Sequence, residues 1–158
     1  MIDTPEFLRG RNGEQLVAEL VMRRGGFVIP SYDYSGSDNK APRMQGLRDS
    51  HILPDLDVSK RGTRVWIEVK TKAAASYTRI TKRLEHGIHR RHWDEYRKVQ
   101  QITGTPVWLV IYEEATGDVL AQAMDELDGC RREAKGMAPG GMVFFPRDAF
   151  KVIARGVA

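Results

Sequence analysis

Apolar positions recur at helical spacing through RNGEQLVAELVMRR (11–24), and Gly25-Gly26 follow as a natural stop. FVIPSYDY (27–34) reads as a first strand, with Pro30 marking it as an edge or an irregularity. Residues 35–50 are polar, aperiodic and punctuated by Gly and Pro, which predicts a long loop. HILPDLDV (51–58) and TRVWIEVKTK (63–72) alternate as two strands joined around Arg61-Gly62. A helix over 89–103 closes at Gly104, and PVWLVIYEE (106–114) is apolar enough for a strand buried on both faces. Thr116-Gly117-Asp118 turns the chain into DVLAQAMDEL. A Gly/Pro-rich loop at 136–141 then leads to MVFFPRDAF, read as a short strand and a helical tail. The order α-β-β-β-α-β-β predicts an α/β fold, a central mixed sheet flanked by helices.

The hairpin carries the chemistry. A two-residue turn at Arg61-Gly62 sets Lys60 opposite Thr63, and therefore Asp57 opposite Trp66 and Asp55 opposite Glu68. Asp55, Asp57, Glu68, Lys70 and Lys72 then share one face, while Leu56, Val58, Val65, Ile67 and Val69 point into the core. Like charges directly opposite one another destabilise a sheet. Cβ atoms roughly 5 Å apart suit two carboxylates sharing one Mg²⁺. A solvated face explains any single acid. Two opposed acids with a lysine beside them are better explained by a cation site. On the first helix Glu19 lies opposite the apolar arc, whereas Glu14 falls within it. An inward carboxylate needs a partner. Helix-dipole stabilisation and a role as metal ligand or water-holder both account for it.

Composition narrows the setting. The chain has 158 residues, which predicts one domain with a proper core, and 41% of them are hydrophobic. No apolar run approaches bilayer length and the N-terminus lacks a signal-peptide layout, so a cytoplasmic location is the expectation. Cys130 has no cysteine partner for a disulfide or a zinc site. Net charge is +4, and residues 79–98 alone hold an excess of that size. Such concentration points to a phosphate-facing surface. Tyr77, Arg79, Lys82 and Arg83, directly after the strand that carries Glu68 and Lys70, are candidate phosphate contacts, together with Lys72, Arg90 and Arg91. Trp93 and Tyr96 read as core anchors. His86, His89 and His92 are spaced too weakly for a metal cluster.

Glu14, then Pro54-Asp55, a hairpin, and Glu68-Val69-Lys70 resemble the PD-(D/E)XK nuclease superfamily. The segments GEQLVAEL, LPDLDV, WIEVKTK and YRKVQQITGTPVWLVIYEE extend the likeness over roughly residues 10 to 125, as in Holliday junction resolvase-like and restriction-endonuclease-like members. The resemblance implies a restriction-endonuclease-like core and Mg²⁺-dependent phosphodiester hydrolysis, with Mn²⁺ able to substitute. It assigns Asp55 and Glu68 as metal ligands, the Val69 backbone carbonyl as a further one, Lys70 as the motif lysine and Glu14 as the helix acid. Gln100 or Gln101 would match a polar residue facing the site in relatives. Asp57 has no counterpart; a neighbour of the ligands, a ligand of a second ion and a solvated acid all fit.

The expectation is therefore a DNA nuclease, structure-dependent or weakly sequence-specific, for which a homodimer would present two sites to two strands. Restriction or defence enzymes and exonucleases belong to the same superfamily. A non-catalytic nucleic-acid-binding relative would keep the basic segment without needing the acids, and a protein-binding module would need neither.

Overall fold

The computed structural model describes residues 4–30 and 42–157. Helix α1 runs Pro5–Arg23, capped by the Thr4 hydroxyl, which accepts the Phe7 N–H. The helix begins a turn and a half earlier than its apolar periodicity predicts, because Thr4-Pro5-Glu6 is a complete start signal. Glu14 consequently lies in mid-helix, where the dipole of the first turn no longer accounts for it.

β1 (Phe27–Pro30), β4 (Leu56–Lys60), β5 (Thr63–Lys72), β8 (Val107–Glu113), β9 (Asp118–Ala123) and β12 (Lys151–Ala154) make a six-stranded sheet in the order β1-β4-β5-β8-β9-β12. Only β5 and β8 pair in parallel, linked through α2 (Arg90–Thr103), so the sheet is mixed. Gly104, at φ +67°, ends α2 in the left-handed conformation. Pro30 sits on the edge strand β1 as predicted, while the rest of the predicted first strand, 31–34, lies outside the described residues.

Four expectations change. The predicted strand 51–58 is two strands, β3 (Ser50–Ile52) and β4, broken at Pro54-Asp55. β3 pairs with β2 (Arg43–Gln45), so part of the predicted loop 35–50 is a small hairpin, and 35–41 lie outside the described residues. The predicted helical tail is a 3-10 turn (Arg147–Ala149) followed by β12, which completes the main sheet beside β9. Finally, β6 (Ser76–Thr78), β7 (Arg83–His89), β10 (Arg132–Ala134) and β11 (Met142–Pro146) form a second, antiparallel sheet in the order β10-β11-β7-β6.

Both faces of the main sheet are covered. Val17 of α1 packs on Leu56, Val58, Ile67, Val69 and Val110. On the other face Trp66, Leu109 and Ile111 pack with Trp93, Tyr96 and Val99 of α2 and with Phe145 of the second sheet. The face carrying Glu68 and Lys70 is thus roofed by α2, not open to solvent along its length. Among the described residues no helix is long and apolar enough to cross a membrane.

Candidate active site

The β4–β5 register is Lys60↔Thr63, Asp57↔Trp66 and Leu56↔Ile67, as the two-residue turn requires. Arg61 and Gly62 both have positive φ, +49° and +78°, the pattern of a type I′ hairpin turn. The ladder stops at Leu56↔Ile67, where Pro54 cannot donate. One residue beyond, the Asp55 carboxylate substitutes for a backbone carbonyl: Oδ2 accepts the Val69 N–H at 2.8 Å. This bond aims Asp55 at β5 and sets it beside Glu68. The approach to Asp55 is fixed from α2, where Glu95 Oε2 accepts the Ile52 N–H at 3.1 Å and lies 3.2 Å from the His51 ring.

Asp55 and Glu68 are 4% and 3% exposed. Lys70 Nζ lies 2.6 Å from Glu68 Oε1, whereas Glu68 Oε2 is buried without a hydrogen-bond partner. Burial, then the Glu68 and Glu14 carboxylates, push the Asp55 pKa well above the ordinary aspartate range against the opposing pull of Lys70 and the Val69 N–H. Burial alone would lower the Lys70 pKa, but Glu68, Asp55, the ion pair and Glu14 together outweigh it and raise it. Lys70 is therefore a firmly protonated ammonium among acids, and its Nζ lies 5.9 Å from the Tyr96 ring centre.

Glu14 reaches the same place because α1 crosses β5 at very close range. A Cβ at Gly13 would stand 1.9 Å from Thr71 Oγ1, so only glycine permits that approach. Glu14, Asp55, Glu68, Val69 and Lys70 all line one open cleft of about 380 Å³. Its remaining wall comes from Glu6, Arg9 and Gly10 of α1, from Ile52 and Thr71, and from His92 and Tyr96 of α2. His92 and Tyr96 were not among the predicted site residues. Their i, i+4 spacing on α2 was visible, but not which way that helix faces. Burial lowers the His92 pKa, with Lys70 adding to the effect, so its imidazole is the more firmly neutral. A larger groove of about 790 Å³ flanks α1 on the side of Leu16, Leu20 and Tyr112. Arg9 and Glu114 pair there, so volume does not mark the chemistry.

The other predicted site residues lie elsewhere. Asp57 is held by Arg64 in a two-bond ion pair, at 2.9 and 2.8 Å, and does not line the cleft. Gln100 accepts the Val107 N–H at 2.9 Å and donates to Asp125 at 2.8 Å, which locks α2 to β8 and to the short helix α3 (Met124–Asp128). Gln101 is exposed. Lys72 is half-buried, and that burial, with Lys70 and Arg9, lowers its pKa. Arg90 pairs with Glu133 and Asp94, while Arg91 is exposed. Tyr77, Arg79, Lys82 and Arg83 are exposed on β6, β7 and the turn between them. The basic segment is therefore divided between a strand pair and a helix.

Solved structures with the same architecture exist. Hjc, a Holliday junction resolvase from Archaeoglobus fulgidus, aligns over 92% of this chain and 93% of its own, at TM-score 0.59 and 10% identity. The fold is restriction-endonuclease-like. D212, a nuclease from a fusselovirus, aligns over 97% of this chain and 90% of its own, at TM-score 0.52 and 13% identity. No family model matches the chain, and no curated protein matches it.

The sequence resemblance raises the question of Mg²⁺. Among the described residues no three His, Cys, Asp or Glu side chains stand close enough together to cage an ion on their own. Two buried carboxylates, one with an oxygen left unpartnered, fit a hard cation that retains waters and binds a ligand phosphate. The donor set fits.

Proposed function

We propose that the chain is a metal-dependent nuclease that hydrolyses DNA phosphodiester bonds at the Asp55/Glu68/Lys70 cleft. One observation carries this reading. Glu68 Oε2 is buried with no partner, beside a second buried acid and a protonated lysine, in a cleft open to a ligand. A buried polar atom without a partner is costly in a purely structural cluster. It is the natural state of a ligand awaiting a cation.

Asp55 and Glu68 would hold Mg²⁺, or Mn²⁺ in its place, with the Val69 carbonyl and Glu14 as further contributors. When bound, the ion would supply charge stabilisation to a phosphoryl oxygen and a more acidic water. Lys70 would direct its N–H donors at a phosphate oxygen and at the attacking water, fixing both. The neutral His92 ring and Tyr96 would wall the cleft on the α2 side. Lys72, Arg91 and the exposed cations of residues 79–83 would take flanking phosphates. The two solved structures compared above, a Holliday junction resolvase and a viral nuclease, support this reading. Branched DNA is thus the first substrate to try, and a homodimer would carry one such cleft to each of two strands.

The test uses purified protein with labelled branched, linear and single-stranded DNA, each with Mg²⁺, Mn²⁺ or a chelator. Cutting that requires the metal and disappears in Asp55→Ala and Lys70→Ala supports the enzyme. Undiminished cutting by those variants refutes the site. Tight binding without cutting on every substrate would identify a non-catalytic DNA-binding protein.

A further inference from the structure

The pair β6–β7 carries a feature that the cleft does not use. The strands pair Ser76↔Glu85, Tyr77↔Leu84 and Thr78↔Arg83, leaving residues 79–82 as a four-residue turn. Tyr77 and Leu84 are directly opposed on one face, 63% and 47% exposed, and Ile80 at the tip is 84% exposed. Exposed apolar residues scattered singly are ordinary; three together on one short projection make a patch.

The projection is also held in shape. Glu85 is 1% exposed, and its carboxylate accepts Thr81 Oγ1 at 2.5 Å, the Arg132 guanidinium at 3.3 and 3.4 Å, and the Thr78 hydroxyl. One buried acid therefore ties down both sides of the turn. Lys82, at φ +54°, sits in a left-handed conformation that side-chain-bearing residues adopt uncommonly. A turn pinned this way presents Ile80 with little freedom left to lose on binding.

Its charge has no paired acid among the described residues. Arg79, Lys82 and Arg83 make no ion pair among the described residues, whereas Arg90, Arg97, Arg131 and Arg147 all do. Cations around an aromatic and aliphatic patch match a strand whose phosphates flank exposed base faces. Paired duplex offers no base faces on its sides; unpaired DNA does.

We propose that the β6–β7 projection stacks unpaired DNA bases on Tyr77, Ile80 and Leu84 while Arg79, Lys82 and Arg83 hold the adjoining phosphates. The proposal rests on the nuclease reading in placing DNA at the Asp55/Glu68/Lys70 cleft. Only residues 73–75 separate β5 from β6, and Ile80 is within roughly 35 Å of Lys70 even along a fully extended chain.

The full chain in chelator, where metal-dependent cutting is silent, is mixed with two oligonucleotides. One is a blunt duplex; the other is the same duplex with a single-stranded tail carrying 2-aminopurine. Wild type should quench the 2-aminopurine. The Tyr77→Ser/Ile80→Ser variant, whose changes are at exposed sites, should lose that quenching. It should bind tailed DNA roughly 5- to 150-fold more weakly, with blunt-duplex affinity kept within about twofold. Arg79→Ala/Lys82→Ala should weaken both substrates and reduce the salt slope. Unchanged tailed-DNA binding by Tyr77→Ser/Ile80→Ser, or an equal loss on both substrates, overturns the proposal. Cleavage is scored separately with Mg²⁺. Quenching without cleavage on any substrate would sink the nuclease reading and leave base stacking standing.

Discussion

Two clusters of buried charge sit on the same sheet, and they are built differently. At the C-terminal end of β8, Glu113 is 2% exposed and every donor around it is aimed inward. His86 Nε2 lies 2.6 Å from one oxygen, Arg147 spans both at 2.8 and 3.0 Å, and Thr116 reaches the second at 3.3 Å. Arg147 continues to Asp118 at 3.3 Å. In the cleft, Asp55 and Glu68 are equally buried, but the acids outnumber Lys70, and Glu68 Oε2 and Thr71 Oγ1 have no partner. Burial and charge alone therefore do not mark a functional site. The difference lies in whether the polar groups are satisfied from within.

Breaking each cluster should have opposite consequences. The largest effect is on catalysis: Lys70→Ala should lower metal-dependent DNA cleavage by roughly 10²- to 10⁴-fold, while denaturant unfolding in chelator shows a folded protein. Next comes Glu113→Ala, which strands Arg147 and His86. It should cost about 3–5 kcal/mol of unfolding free energy, read from urea titration.

Acidification sharpens the contrast. The Asp55 pKa is raised in the folded state, so the folded protein holds its proton more tightly than the unfolded chain. Metal-free stability should therefore fall as pH rises from the unfolded aspartate value, about 3.9, through the folded one. Asp55→Asn should remove that slope. His86 and Glu113 run the other way. Burial first of all lowers the His86 pKa, so stability is lost as pH drops below about 6.5, its unfolded value. For Glu113 burial works upward, but Arg147 and His86 overcome it. Its contribution is present above about 4.3, the unfolded value, and disappears as pH falls through the lower folded one. Urea titrations at several pH values, comparing wild type, Asp55→Asn and His86→Gln, would separate the two slopes. The smallest change belongs to the Asp57–Arg64 pair, whose arginine is half-exposed. Asp57→Ala should cost only about 0.2–1 kcal/mol and leave cleavage unchanged.

What was legible in the sequence follows the same division. The Asp55–Glu68 neighbourhood could be read because local rules determine it: the turn at Arg61-Gly62 and the apolar odd-numbered positions of β5 admit one register. The start of α1 was equally local, but lay in Thr4-Pro5-Glu6, outside the apolar repeat. The second sheet was not legible. RLEHGIH reads as polar, yet Glu85 and His86 are buried because Arg132 and Glu113 meet them from 47 and 27 residues away. No periodicity encodes such partners. Gln100 reads equally as a site-facing or a packing residue for a related reason: its role depends on β8 and α3 lying beside α2.

We propose the incompletely satisfied cluster, and not the satisfied one, as the cation site. Calorimetric titration of Mn²⁺ into metal-free protein tests it without needing the right DNA. The expected result is a binding heat that is lost in both Asp55→Asn and Glu68→Gln and retained in His86→Gln. Equal Mn²⁺ binding by wild type, Asp55→Asn and Glu68→Gln would contradict it.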